Sequence, residues 1–153
     1  MSYSKFLLAL IFASLTPSLT ISETAKASGD WAFKKKENAC VAVVRSPNLQ
    51  HSYILYRMNE LDELVINWIE GPGVDDNIKG SVVFEFDKTS KFNVKIVDTD
   101  EFQFEPLFNG SNDPILRQLK QGKTFSIHQK GKLVAGPFSL MGSGKALKWL
   151  SEC

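Results

Sequence analysis

The sequence predicts a mainly β protein, an antiparallel β-sandwich or partly open barrel with two short helices. Between Trp31 and about Phe108, short runs alternate apolar and polar residues, and a period of two is typical of strands with one buried face. Turn-forming residues separate these runs, as hairpins require. Helix start and stop signals occur near residues 114–120 and 144–152.

Four strands are predicted before the loop that begins at Gly71. They cover residues 31–36, 40–45, 52–58 and 64–70. In the first, Trp31 and Phe33 alternate with Ala32 and Lys34, and in the fourth one face carries Leu64, Ile66 and Trp68. The loop from Gly71 to Lys79 contains Gly-Pro-Gly and Asp-Asp-Asn, which cannot continue a strand.

The clearest hairpin pairs residues 81–87 with residues 91–97. Its inward positions are Val82, Phe84 and Phe86 on the first strand and Phe92, Val94 and Ile96 on the second. A further strand is predicted at 101–105. Because large rings supply much of the buried apolar area of a small β core, we assign these phenylalanines to core packing.

The last forty residues combine a helix, a hairpin and a second helix. Asp113 is the expected N-cap of a helix over 114–120, which Gly122 ends. Strands at 124–129 and 133–140 flank a turn at Lys130-Gly131. Ser143 is expected to cap the final helix over 144–152, whose Ala146, Leu147 and Leu150 would face the core.

Residues 1–27 are predicted to be a signal peptide. Lys5 precedes an apolar run, and Ala25-Lys26-Ala27 fits the small-x-small cleavage rule, so the mature chain would start at Ser28 and form a single β-rich domain over 28–153. The alternative is an uncleaved anchor, but polar residues and Pro17 interrupt the run before the roughly 18 apolar residues needed to span a bilayer. We therefore expect a periplasmic or secreted protein with no membrane span in the mature chain.

The charge balance argues against nucleic acid as a partner. Cleavage after Ala27 removes Lys5, Glu23 and Lys26, leaving sixteen basic and sixteen acidic residues. A protein that neutralises phosphates normally carries a basic excess. The local basic run Lys34-Lys35-Lys36 is offset by acidic stretches elsewhere.

Cys40 and Cys153 are both in the mature chain, and an exported pair of cysteines most often forms a disulfide. The alternative is two free thiols. A bridge would tie the last residue to an early strand. The chain has no Cys-x-x-Cys spacing that would lower a thiol pKa, so a structural role is favoured over a redox role.

No catalytic, cofactor or metal site is predicted. Gly142-Ser143-Gly144 lacks the Gly-x-Ser-x-Gly frame of hydrolases. The two histidines, His51 and His128, belong to no cluster with metal-ligand spacing. A small hydrolase stays open only if one of them meets a serine and a carboxylate in three dimensions.

Two other polar segments are assigned to turns. Asp98-Thr99-Asp100-Glu101 lacks the glycine that a calcium loop requires and is interpreted as a solvated turn. Asn109-Gly110-Ser111 is a glycosylation triplet only if the source is eukaryotic, and otherwise a turn.

Taken in order, these landmarks resemble the invasion-associated locus B family of exported proteins from Gram-negative bacteria. The resemblance spans nearly all of the mature chain and rests on five segments: Gly29-Asp30-Trp31, Cys40-Val41-Ala42-Val43, the hairpin over 81–94, the segment Asp113 to Lys123, and the ending from Phe138 through Gly142 to Cys153. The chain departs from the family at Lys34-Lys35-Lys36, where some members carry another cysteine, and at Lys130-Gly131-Lys132, where the family has Arg-Gly-Thr.

The resemblance implies a β-rich periplasmic or secreted protein, with some relatives associated with host-cell entry and with no catalytic residues to carry over. We therefore expect a non-enzymatic protein with an unidentified protein or envelope partner. The alternative is an inhibitor or chaperone-like module that inserts its Gly71 to Lys79 loop into an envelope enzyme. Exposed aromatic side chains near that loop would favour this alternative.

Overall fold

A computed structural model of the chain describes residues 24–36, 39–47, 53–69, 77–108 and 112–153. Predictions about residues 1–23 of the signal peptide, about His51, about loop residues 71–76 and about Asn109-Gly110-Ser111 lie outside the described residues.

The described residues form a mainly antiparallel β structure with two short helices, as predicted. In chain order the elements are β1 (Thr24–Ser28), β2 (Trp31–Lys36), β3 (Ala39–Arg45), β4 (Tyr53–Met58), β5 (Glu63–Ile69), β6 (Ser81–Phe86), β7 (Ser90–Asp98), β8 (Gln103–Phe104), β9 (Leu107–Phe108), α1 (Pro114–Gln121), β10 (Thr124–Gln129), β11 (Lys132–Ser139) and α2 (Ser143–Ser151). No helix in these segments is long and apolar enough to cross a membrane.

The strands join one open sheet in the order β1-β2-β3-β4-β5-β8-β7-β6-β10-β11, with β9 paired to β5. Strand β7 links the two halves of this sheet, one formed by β1 to β5 with β8 and the other by β6, β10 and β11. Its residues Ser90–Lys95 pair with β6, and Ile96 and Asp98 pair with β8 across a register shift. Such a shift bends a strand and increases its twist, and side chains from both halves of the sheet form one core cluster.

The core lies between these halves and is rich in aromatic rings. The inward positions predicted for β2, β5 and β6 are all buried. Phe84 of β6 contacts Phe104 of β8 with ring centroids 4.8 Å apart, and Trp31 stacks on Tyr56 at 4.2 Å. Aromatic pairs of this kind add about 0.5–1.5 kcal/mol beyond their buried area.

Helix α1 is capped as predicted. Asp113 Oδ1 accepts hydrogen bonds from the backbone N–H groups of Ile115 at 2.7 Å and Leu116 at 3.2 Å. Pro114 occupies the first turn, where its missing N–H has no partner to lose.

The predicted cap of α2 is wrong. Ala146, Leu147 and Leu150 do face the core, but the N-cap is Gly142 and makes no side-chain cap bond. Ser143 is the first residue of the helix and is fully buried. The Ser143 hydroxyl lies 3.4 Å from the Tyr56 hydroxyl. Buried hydroxyl groups are normally hydrogen-bonded, and these two bond to each other.

Residues 28–31 dock onto residues 139–142, a contact that we call the clasp. The Asp30 N–H donates to the Met141 carbonyl at 3.0 Å, and Trp31 Nε1 donates to the Ser139 carbonyl at 3.0 Å. Gly142 has φ 89°, and a Cβ there would overlap the Ser28 carbonyl. The clasp thus joins the segment after β1 to the segment after β11, where the sheet order begins and ends.

Three strands differ from the prediction. The strand expected at 101–105 is only the two-residue β8, because Phe102 adopts a left-handed φ of 43° that interrupts extended backbone. Strand β9 was not predicted separately. Strand β1 was not predicted, and four of its five residues precede the expected cleavage point after Ala27.

Candidate functional site

A cleft lies on the outer face of β3, β4 and β5, on the side of the sheet opposite the core. Alternation along each strand places Ala42, Ile54 and Ile66 in the core, so their neighbours point outward. Among these neighbours, Val41 and Leu55 form an apolar floor. Both are half-buried rather than fully exposed.

The turn between β7 and β8 builds one wall of this cleft. Asp98 Oδ1 accepts from the backbone N–H groups of Asp100 at 2.9 Å and Glu101 at 3.2 Å, which fixes the turn. The left-handed backbone of Phe102 then directs its ring against Trp68, with centroids 5.2 Å apart. The predicted solvated turn is therefore present, and its exposed acidic residues face a cleft.

Side-chain hydrogen bonds attach this wall to the sheet. Arg57 Nη2 donates to Gln103 Oε1 at 3.1 Å, and Asn67 Nδ2 donates to the Glu101 carbonyl at 3.3 Å. The Trp68 N–H donates to the Phe102 carbonyl at 3.1 Å. Hydrogen bonds to three consecutive residues of the turn hold the wall of the cleft in place. The cleft is therefore formed before any ligand binds.

The cleft has the size and composition of a binding site for a small ligand or a peptide segment. Its volume is about 600 Å³, within the 300–1,000 Å³ typical of ligand pockets, which combine apolar walls with a few polar groups. The lining residues are Val41, Leu55, Arg57, Asn67, Trp68, Ile69, Asp100, Glu101 and Phe102. They include one cation and two carboxylates.

A second cavity, of about 370 Å³, lies on the other half of the sheet and contains His128. Glu85 lines this cavity, with Oε1 3.6 Å from His128 Nε2 and Oε2 3.3 Å from Lys91 Nζ. Ser126 lines the same cavity. The structure thus brings a histidine, a carboxylate and a serine to one cavity, but His128 Nε2 has no hydrogen-bond partner among the described residues.

The predicted disulfide is present. Cys40 of β3 and Cys153 after α2 are bonded, with Cα atoms 6.4 Å apart, within the usual range for a disulfide. A smaller cavity of about 350 Å³ adjoins the bridge, next to Lys35 and Asp62. Across the described segments, no group of three His, Cys, Asp or Glu side chains is placed to hold a metal ion.

The inhibitor alternative predicted exposed aromatic side chains near the Gly71 to Lys79 loop. Phe108 is the exposed aromatic residue among those described, with 58% of its surface accessible. It pairs with Glu63, at the end of β5 that lies away from this loop. The exposed large apolar residue next to the loop is Ile69, with 45% of its surface accessible, and it belongs to the cleft.

Sequence reasoning missed the cleft, although a signal for it was present. Residues 41–44 and 64–66 are uninterrupted apolar runs, and such runs indicate strands covered on both faces. Val65 points away from the core yet is only 2% exposed. Val65 pairs with Arg57 across the β4–β5 ladder. Arg57 therefore lies on the same outer face, and its side chain donates a hydrogen bond to Gln103.

The fold and the cleft define a disulfide-linked, antiparallel β domain with a preformed concave site on its outer face. No protein-family model and no curated protein matches the chain. Among solved structures, its fold is similar to that of invasion associated protein B from Bartonella henselae, with a TM-score of 0.56, 14% sequence identity, and coverage of 83% of this chain and 95% of the other. The fold implied by the resemblance in sequence is therefore confirmed.

Proposed function

We propose that this protein is a non-enzymatic, periplasmic or secreted binding protein of the invasion-associated locus B type, and that it engages its partner through the cleft on the outer face of β3–β5. Its action would lie at the bacterial envelope or at the surface of a host cell. The fold similarity to invasion associated protein B supports the type. The disulfide supports an oxidising compartment outside the cytoplasm.

The observation that carries the binding role is the preformed wall of the cleft. Three hydrogen bonds, from Arg57, Asn67 and the Trp68 backbone, hold the 98–103 turn over the floor. A site that is already ordered loses little conformational freedom on binding, which favours affinity. Exposed Ile69 at its edge gives a partner an apolar contact.

A photo-crosslinking amino acid at Ile69 tests this proposal in producing cells and during host-cell contact. The matched control is the same amino acid at Leu133, which is similarly exposed at 54% but lines the His128 cavity on the other half of the sheet. We expect a discrete adduct from position 69 and none from position 133. Equal labelling at both positions, or no adduct at either, would refute a binding role for the cleft.

The non-enzymatic part of the proposal needs its own test, because Glu85, Ser126 and His128 share a cavity. Purified protein and its Ser126→Ala and His128→Ala variants are assayed with short nitrophenyl esters and with peptide substrates. We expect no turnover above buffer in any sample. Turnover by the wild-type protein that disappears in both variants would show that the protein is a hydrolase and would contradict the non-enzymatic proposal.

A further inference from the structure

The charged residues that line the cleft indicate which kind of ligand it accepts. Asp100 and Glu101 are both exposed and line the cleft, and the ion pairs identified among the described residues involve other carboxylates. Arg57 is the cation among the lining residues, and it donates to the neutral oxygen of Gln103. The lining therefore carries a net negative charge beside an apolar floor.

We propose that the cleft binds the free amino end of an apolar peptide, a proposal that rests on the binding role given to the cleft above. The terminal ammonium lies against Asp100 and Glu101, and the first side chain lies on Val41 and Leu55. An ammonium between two carboxylates is favourable because opposite charges attract, and hydrogen bonds between charged groups are stronger than those between neutral ones.

A peptide fits the cleft better than a simple cationic amphiphile. Arg57 has five N–H donors, and the bond to Gln103 uses one of them. Asn67 Nδ2 already donates to the Glu101 carbonyl, but the side-chain oxygen of Asn67 can accept a hydrogen bond. These groups match the carbonyl and N–H of a first peptide bond, which an alkylamine lacks.

A peptide also fits better than an anionic amphiphile such as a fatty acid. A ligand carboxylate would gain Arg57 but would meet two carboxylates on the wall of the same cleft. Like charges at close range disfavour binding. The ammonium end therefore sets the orientation of the ligand.

The test is an isothermal titration of the purified, oxidised protein with four probes. These are leucyl-leucinamide, its N-acetylated form, octylamine and laurate. We expect leucyl-leucinamide to bind, the acetylated form to bind at least tenfold more weakly, and octylamine and laurate to bind more weakly than the peptide. Equal affinity for the acetylated peptide, or preferred binding of octylamine or laurate, would overturn the proposal.

A matched pair of variants locates the binding to the cleft. Asp100→Asn with Glu101→Gln removes the two charges but leaves the turn intact, because Asp98 holds that turn through backbone N–H groups. Glu105→Gln removes an exposed charge outside the cleft. We expect at least a tenfold loss of affinity in the double variant and no change in the control; equal affinities in the two would overturn the proposal.

The two proposals fail in different ways. Crosslinking at Ile69 together with no binding of leucyl-leucinamide would overturn the peptide inference and leave the binding role intact. Loss of both results would overturn the binding role itself. Circular dichroism of each variant verifies that a lost signal does not reflect unfolding.

Discussion

Removing the disulfide by the double substitution Cys40→Ser with Cys153→Ser is expected to destabilise the protein strongly. The bridge joins residues separated by 113 positions. In the chain-entropy model, a loop of that length lowers the entropy of the unfolded state enough to stabilise the fold by about 5 kcal/mol. Cys153 is exposed and Cys40 only half-buried, so the substitutions remove little packing and the loss comes mainly from the unfolded chain.

For a domain of this size, about 5 kcal/mol corresponds to a fall in Tm of roughly 15 to 20 °C. Thermal unfolding by circular dichroism measures it, and urea unfolding should give a larger m-value for the variant because its unfolded chain expands further. Reductant should lower the Tm of the wild type but leave that of the variant unchanged. A difference under about 2 °C between oxidised wild type and variant would refute the reasoning.

Three further perturbations test local features. Asp113→Ala should cost about 1 kcal/mol through loss of the α1 cap, whereas Asp113→Asn should cost much less, as measured by urea unfolding; equal losses would contradict the capping role. Gly142→Ala should destabilise more than Gly131→Ala, because both glycines have positive φ but a Cβ at 131 meets open space while one at 142 meets the Ser28 carbonyl; equal changes in Tm would show that the clasp is loose. Burial raises the pKa of Tyr56 above its ordinary 10.0, and its hydrogen bond to Ser143 lowers it less. As the pH rises, the Tyr56 hydroxyl therefore ionises in the unfolded chain before it ionises in the folded protein. The stability that the neutral hydroxyl confers is complete below about pH 10 and declines at higher pH. Tyr56→Phe should make this alkaline loss of stability shallower than Tyr53→Phe does, and parallel stability profiles of the two variants would contradict the prediction.

The local elements were predictable because each is set by neighbours in sequence. Period-two alternation in 81–87 and 91–97 is enough to define a hairpin and its buried face. Asp113, Pro114 and Gly122 carry start and stop signals whose physics is confined to one or two helical turns. The same applies to Lys130-Gly131, where both residues take the positive φ of a tight hairpin turn.

The failures arose where distant residues decide the outcome. Ser143 has the sequence context of a cap, but the approach of Tyr56 from β4 determines where its hydroxyl bonds. Phe102 has the sequence context of a strand, but packing on Trp68 of β5 places it in a left-handed turn. The pairing of β5 with β8, for which the sequence offered no prediction, is likewise non-local.

The candidate cleft was not predicted because its wall and floor are far apart in the chain. Residues 98–103 reach Arg57 and Asn67 only after β7 has turned the sheet. An alternating strand shows which residues point outward, but it does not show what covers them. Cys40 and Cys153 were the residues that the sequence singled out, and the disulfide between them is present.

Strand β7 belongs to both halves of the sheet, so it couples the unfolding of one half to the unfolding of the other. Its first six residues share a ladder with β6, while Ile96 and Asp98 share one with β8. When either half of the sheet unfolds, the other half loses part of its strand pairing. Amide protons in β6, β7 and β8 should therefore exchange with solvent together and at the slowest rate in the protein, as a single cooperative unit.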